Sequence, residues 1–161
     1  MAAAYHGGIP GADVFVKNTE LRKSISRAME FWFANDFSTI GNGACLDAGG
    51  DANGSCPCGT PGLWNTNWYS NVLLVPGNVG STCLLLRDEL TASEYGNCTH
   101  ITARGYAPFY RNPQPSYVSG SNIMDIASVG IAAGLLENNG TGNASRIADA
   151  YQRIHNEVSP Q

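Results

Sequence analysis

The stretch from 52 to 86 contains no Asp, Glu, Lys, Arg or His, and within it stand Trp64, Asn67, Trp68, Tyr69 and Asn71. Trp and Tyr offer an apolar face, and an Asn amide both donates and accepts. That combination suits a sugar ring, which has an apolar face and a polar rim. The same residues suit a second role, with Trp64 and Trp68 anchoring a core and the Asn side chains capping loops. A second window, 95–124, has no Asp or Glu but holds His100, Arg104 and Arg111 among Tyr95, Tyr106, Phe109, Tyr110 and Tyr117. Arg104, Arg111 and Asn122 are candidates for receiving a carboxylate, the Arg residues by bidentate pairing.

Other chemistries find less support. His6, His100 and His155 stand near no nucleophile motif, and G-x-S-x-G, H-E-x-x-H and phosphate-loop patterns are all missing. Asp47, Asp51 and Asp125 contain a possible glycosidase carboxylate pair, although Asp125 also suits the first turn of a helix. Cys56-Pro57-Cys58 has too short a spacing for a usual zinc pair and has no second cluster, so neither metal nor cofactor is implied.

The elements that must position these residues follow from periodicity. Asn18 is placed to cap a helix running to about Asn35, with Leu21, Ile25, Ala28 and Trp32 on one face. Residues 38–66 read as a long Gly-rich loop. A helical zone over 67–87 is expected to be split at Pro76. Residues 95–118, with Pro108, Pro113 and Pro115, read as a second irregular stretch. A helix from Ser119 or Ser121 to about Leu136 carries a small-residue face including Gly130 and Gly134, and Asn138-Asn139-Gly140 ends it. A last helix covers about Asn143 to Val158. No strand alternation is convincing, so the fold class is all-α, built of helical hairpins joined by long loops.

The chain has 161 residues, 43% apolar and 14% charged, with a net charge of −4. One folded unit is the expectation, and the negative balance argues against a general nucleic-acid partner. No apolar run reaches the roughly 18 residues of a membrane span. Five cysteines (Cys45, Cys56, Cys58, Cys83, Cys98) and four N-x-[ST] sequons (at Asn53, Asn97, Asn139 and Asn143) favour an extracellular protein. Cys83–Cys98 is one expected bridge, and Cys45 with Cys56 or Cys58 another. The first residues, Met1 to Gly8, show neither a basic start nor a long apolar run, so no signal peptide is expected within them. A piece of a longer precursor would reconcile these signs.

Asn67-Trp68-Tyr69-Ser70-Asn71-Val72-Leu73-Leu74-Val75-Pro76 resembles the N-W-W-x-x-E-I-G-x-P signature of polysaccharide lyase family 8, and Ser119-Gly120-Ser121-Asn122-Ile123-Met124-Asp125 resembles its T-G-A-N-R-x-D segment. Trp32-Phe33 through Asp36-Phe37, Cys45-Leu46-Asp47 and Cys56-Pro57-Cys58 are similar to the fungal branch. Tyr69, Val72-Leu73-Leu74 and Ile123 depart from the signatures. The resemblance implies part of an incomplete α/α toroid, without the family's β-sandwich domains. It implies β-elimination of uronate polysaccharides such as hyaluronan, chondroitin or xanthan. It gives Asn122 the catalytic, carboxylate-binding role, and Trp68 and Tyr69 the aromatic platform with Asn67 beside them. The family's His and Tyr would lie beyond residue 161, so the resemblance implies half an active site. The alternatives are a non-catalytic carbohydrate-binding module and a secreted interaction or effector protein. A partial toroid is also expected to self-associate through uncovered apolar faces.

Overall fold

The computed structural model describes residues 1–36, 62 and 67–159. Six α-helices and several shorter helical turns make up the described residues, with no strand among them, so the chain is all-α. The helices are α1 (Ala2–His6), α2 (Thr19–Ala34), α3 (Val75–Leu85), α4 (Ala92–Tyr106), α5 (Ser121–Leu136) and α6 (Ala144–Val158).

Local chemistry sets most boundaries. The Asn18 side chain accepts from the Leu21 N–H at 3.0 Å and starts α2. In α2 the buried residues are Ile25 and Met29, with Leu21 and Trp32 packed partly buried beside them. Asn143 starts α6 by accepting from the Arg146 N–H at 3.1 Å.

Two expectations need correction. Pro76 does not break its helix. Helical structure runs without interruption from 68 to 85, because Ser70–Leu74 forms a π-helical turn just ahead of α3. A π-turn redirects the carbonyls that precede the proline, so its missing N–H and its ring are accommodated. The irregular stretch beginning at 95 is also corrected, since most of its first half is α4. Thr91 and Glu94 form a reciprocal capping box, with Glu94 N–H donating to Thr91 Oγ1 at 3.2 Å and Thr91 N–H donating to Glu94 Oε2 at 2.9 Å. A short 3₁₀ turn, Ala107–Tyr110, then leads into the connection toward α5.

α3 and α4 form one helical hairpin around the 3₁₀ turn Arg87–Glu89, and α5 and α6 form a second around Asn138–Gly140. α5 packs on both α4 and α6. One buried cluster joins α1, α2, α3 and α4 through Tyr5, Ile25, Met29, Val79, Cys83 and Ile101. The other joins the π-turn, the end of α4, α5 and α6 through Val72, Tyr106, Ile126, Val129 and Ala150. Glycines permit the close approaches. A Cβ on Gly130 would lie 2.2 Å from the Tyr106 ring, and one on Gly105 would lie 2.8 Å from Pro76. Cys83 and Cys98 form a disulfide between α3 and α4, with Cα atoms 6.1 Å apart. Cys98 lies within α4 rather than in a loop.

Candidate functional site

The start of the π-helical turn and the connection ahead of α5 meet at one end of the molecule. Trp68 stacks on Tyr117, ring centroids 4.0 Å apart and planes 7° apart. Tyr69 meets the edge of Trp68 at 5.6 Å and is itself exposed. Asn67 sits just before the helical start, where its side chain accepts from the Tyr69 N–H at 3.0 Å. That bond fixes the register in which Trp68 turns inward and Tyr69 outward.

Tyr117 is the hub of this end. Its hydroxyl accepts from Arg111 Nη2, and its backbone carbonyl accepts from Asn122 Nδ2 at 2.9 Å. Asn122 occupies the first turn of α5, behind Gly120 with φ 54°. The Asn122 and Ile123 N–H groups donate to the Ser119 and Gly120 carbonyls at 3.2 and 3.0 Å, so what this helix start offers an anion is the positive end of the helix dipole. The fold therefore brings Asn67, Trp68, Tyr69, Arg111 and Asn122 to one end. Tyr117 belongs to the same set. Its position five residues before Asn122, inside the acid-free window, was the available sequence signal.

Arg104 is placed elsewhere. Its side chain is fully buried, and Asp36 takes it in a two-point pair, Nη2 to Oδ1 at 2.8 Å and Nε to Oδ2 at 3.3 Å. The Asn71 carbonyl in the π-turn accepts from Arg104 Nη1. Burial pushes the guanidinium below its ordinary value, and Asp36 opposes that shift. Arg104 thus joins α4, the end of α2 and the π-turn that carries Trp68. Trp64, Cys45, Cys56, Cys58 and Asn53 lie outside the described residues, as do Asp47 and Asp51.

A shallow cleft of about 260 Å³ runs beside Tyr69 between α3 and α5, with Asn78, Ser81, Asp125 and Ser128 on its walls. A larger apolar groove of about 360 Å³ lies between α1, α2 and α3, lined by Ile25, Met29, Trp32, Leu74 and Val79. Among the described residues no three of His, Cys, Asp and Glu are grouped to hold a metal ion.

A second polar cluster ties α6 to the end of α4. Asp149 accepts from the Tyr106 hydroxyl, from Tyr110 at 2.8 Å and from Arg153 Nε at 2.9 Å. Burial alone would push the Asp149 carboxyl up, but the bonds from Arg153, Tyr106 and Tyr110 leave it below the usual carboxylate range. Burial and Asp149 push the Tyr106 hydroxyl well up. Arg153 also lies 4.0 Å over the Phe109 ring. These groups bind one another and hold the hairpins together.

The chain matches no known family model and no curated protein.

Proposed function

We propose that the chain is a carbohydrate-binding protein of the polysaccharide-lyase type, which holds a uronate-containing polysaccharide at the Trp68–Tyr117 end. The observation that carries this is the junction at Tyr117, where a stacked aromatic pair, a guanidinium and a side-chain amide meet. The exposed Tyr69 ring suits the apolar face of a sugar. Arg111 and the second amide hydrogen of Asn122 supply donors for a carboxylate. The helical hairpins are compatible with a segment of an α/α toroid. The sequons and the Cys83–Cys98 bridge support an extracellular setting. Exposed Tyr151 and Val158 on α6 support self-association.

A second reading, β-elimination by this chain itself, is favoured by the Arg111–Tyr117 contact. Arg111 orients the Tyr117 hydroxyl, and an oriented oxygen in reach of the C5 proton is what a general base needs. Tyr117 would take the proton from uronate C5. The released electron pair would form a C4–C5 double bond as the C4–O4 bond breaks, and the proton would pass to the departing oxygen.

Hyaluronan, chondroitin and glucuronan are titrated against the chain, with a neutral glucan as control, while ultraviolet absorbance of an unsaturated uronate is followed. Binding of the uronate polymers above the glucan, weakened by Trp68→Ala and Asn122→Ala in a folded chain, is the expected result. Equal affinity for the glucan, or no effect of either substitution, overturns the site. Absorbance that rises with the parent chain but not with Tyr117→Phe selects the elimination reading.

A further inference from the structure

The α5–α6 connection carries two sequons four residues apart, and the fold places their amides in opposite circumstances. Asn143 is half-buried and committed at both ends of its amide. Its Oδ1 caps α6, and its Nδ2 donates to Glu137 Oε2, whose other oxygen pairs with Arg146. A sugar on Nδ2 would replace one of its two hydrogens and require a path to solvent through that network.

Asn139 is exposed, in the left-handed region at φ 52° and ψ 39°. Asn tolerates that conformation better than most residues. Its side chain has no hydrogen-bond partner among the described residues. The turn around it is well fixed. Gly140 N–H donates to the Glu137 carbonyl at 3.1 Å, and Asn138 Nδ2 donates to the Gly142 carbonyl at 2.9 Å. Thr141, the third residue of the sequon, is also exposed.

The Asn97 sequon lies inside α4, where residues two apart do not face each other. Its middle residue, Cys98, is fully buried in the disulfide, and the Thr99 hydroxyl donates to the Tyr95 carbonyl at 3.0 Å. The amide and the hydroxyl of that sequon are thus held apart in the folded chain.

We propose that Asn139 is the N-glycan acceptor of this region, and that Asn97 and Asn143 remain unmodified in the folded protein. In the transfer, Asn139 Nδ2 attacks the anomeric carbon of a lipid-diphosphate-linked oligosaccharide. The new C–N bond forms as the carbon–oxygen bond to the diphosphate breaks. The amide proton goes to a base of the transferase, and the lipid diphosphate leaves. Natural occurrence rests on the extracellular setting proposed above, while the choice of acceptor rests on the turn geometry.

The whole chain is fused to a secretion signal and expressed in a eukaryotic host. The folded monomer is then treated with peptide-N-glycosidase in ¹⁸O-water and mapped peptide by peptide. Label at Asn139, with none at Asn97 or Asn143, is expected. Asn139→Gln should remove that glycan, at a small stability cost because Gln tolerates the left-handed backbone less well than Asn, whereas Asn143→Gln should leave the glycan in place and lower the melting temperature by about 2–4 °C through loss of the cap. Absence of label at Asn139, or label at Asn97 or Asn143 in the folded monomer, overturns the proposal. Label at Asn139 in secreted material, with none in protein from the natural source, supports the acceptor geometry and counts against the extracellular setting.

Discussion

Tyr117 uses its ring face, its hydroxyl and its backbone carbonyl for three different neighbours, Trp68, Arg111 and Asn122. The three attachments respond differently to substitution. Tyr117→Phe retains the stack and the carbonyl but removes the acceptor for Arg111. It is expected to keep the fold and to weaken uronate binding about fivefold, from a bond worth about 1 kcal/mol. Tyr117→Ala removes the stack as well and should weaken binding further, which calorimetric titration checks. Arg104 illustrates the opposite use of a guanidinium. Arg104→Met leaves the almost fully buried Asp36 carboxylate without its two-point partner. Such a loss costs about 3–5 kcal/mol. Adding Asp36→Asn should recover part of it in urea unfolding, and an unchanged midpoint for Arg104→Met would refute the buried pair. Local motifs mark Trp68 and Asn122 as candidates in the sequence. The sequence cannot distinguish Arg104 from Arg111, because Asp36 lies 68 residues from Arg104 and pairing over that distance leaves no local pattern.

At the scale of elements, α2, α5 and α6 are legible because each joins a marked start to an apolar stripe. Asn18 and Asn143 are side-chain caps, and Gly120 precedes α5. α4 is obscured by its composition, rich in Tyr, Thr and Gly, which are weak helix formers. Its capping box, Thr91 to Glu94, was nonetheless in plain view. The π-turn is not legible, since tertiary contacts must support it. Arg104 donates to the Asn71 carbonyl within that turn, and Gly105 lies close to Pro76. The small-residue face of α5 proved to be a seat for aromatic and branched side chains from neighbouring elements. Gly130→Ala is therefore expected to destabilise by about 1–3 kcal/mol despite the better helix propensity of Ala. The Tyr106 ring would have to move from the 2.2 Å approach, and Tyr106 is itself tied to Asp149. Thermal unfolding decides the point. A stabilised Gly130→Ala would mean that propensity outweighs packing there.

For the whole molecule, the hairpins are held by polar and covalent ties as well as by the two apolar clusters, and these ties set its response to pH. Asp149 has a lowered folded-state value, so its contribution is fully present above the ordinary Asp value near 3.9. It fades as pH falls through the lower folded value. Tyr106 is shifted the other way, so the folded state keeps its proton while an unfolded chain loses it above pH ~10. Stability should therefore decline at both extremes, and Asp149→Asn should flatten both limbs in a melting series over pH. Equal slopes in parent and variant would remove Asp149 from the account.

The Cys83–Cys98 bridge acts on the other side of the equilibrium. Both sulfurs are buried between α3 and α4, whose packing already brings them together, so the bridge adds little to the folded contacts. Its larger effect is on the unfolded chain, where it closes a loop across 15 residues of sequence. The chain-entropy model assigns such a loop about 3 kcal/mol. Changing both residues to Ala under non-reducing conditions removes this constraint without disturbing the other cysteines, although lost packing adds to the cost. The two contributions leave different traces. A lost cross-link lets the denatured chain expand and expose more surface, which raises the slope of stability against urea. Lost packing lowers the midpoint at constant slope. The expected result is a stability drop of at least about 3 kcal/mol with a steeper slope. A fall of the same size with no change in slope would place the loss in the folded core instead. A negligible fall would mean that the helical hairpin alone holds these two helices in place.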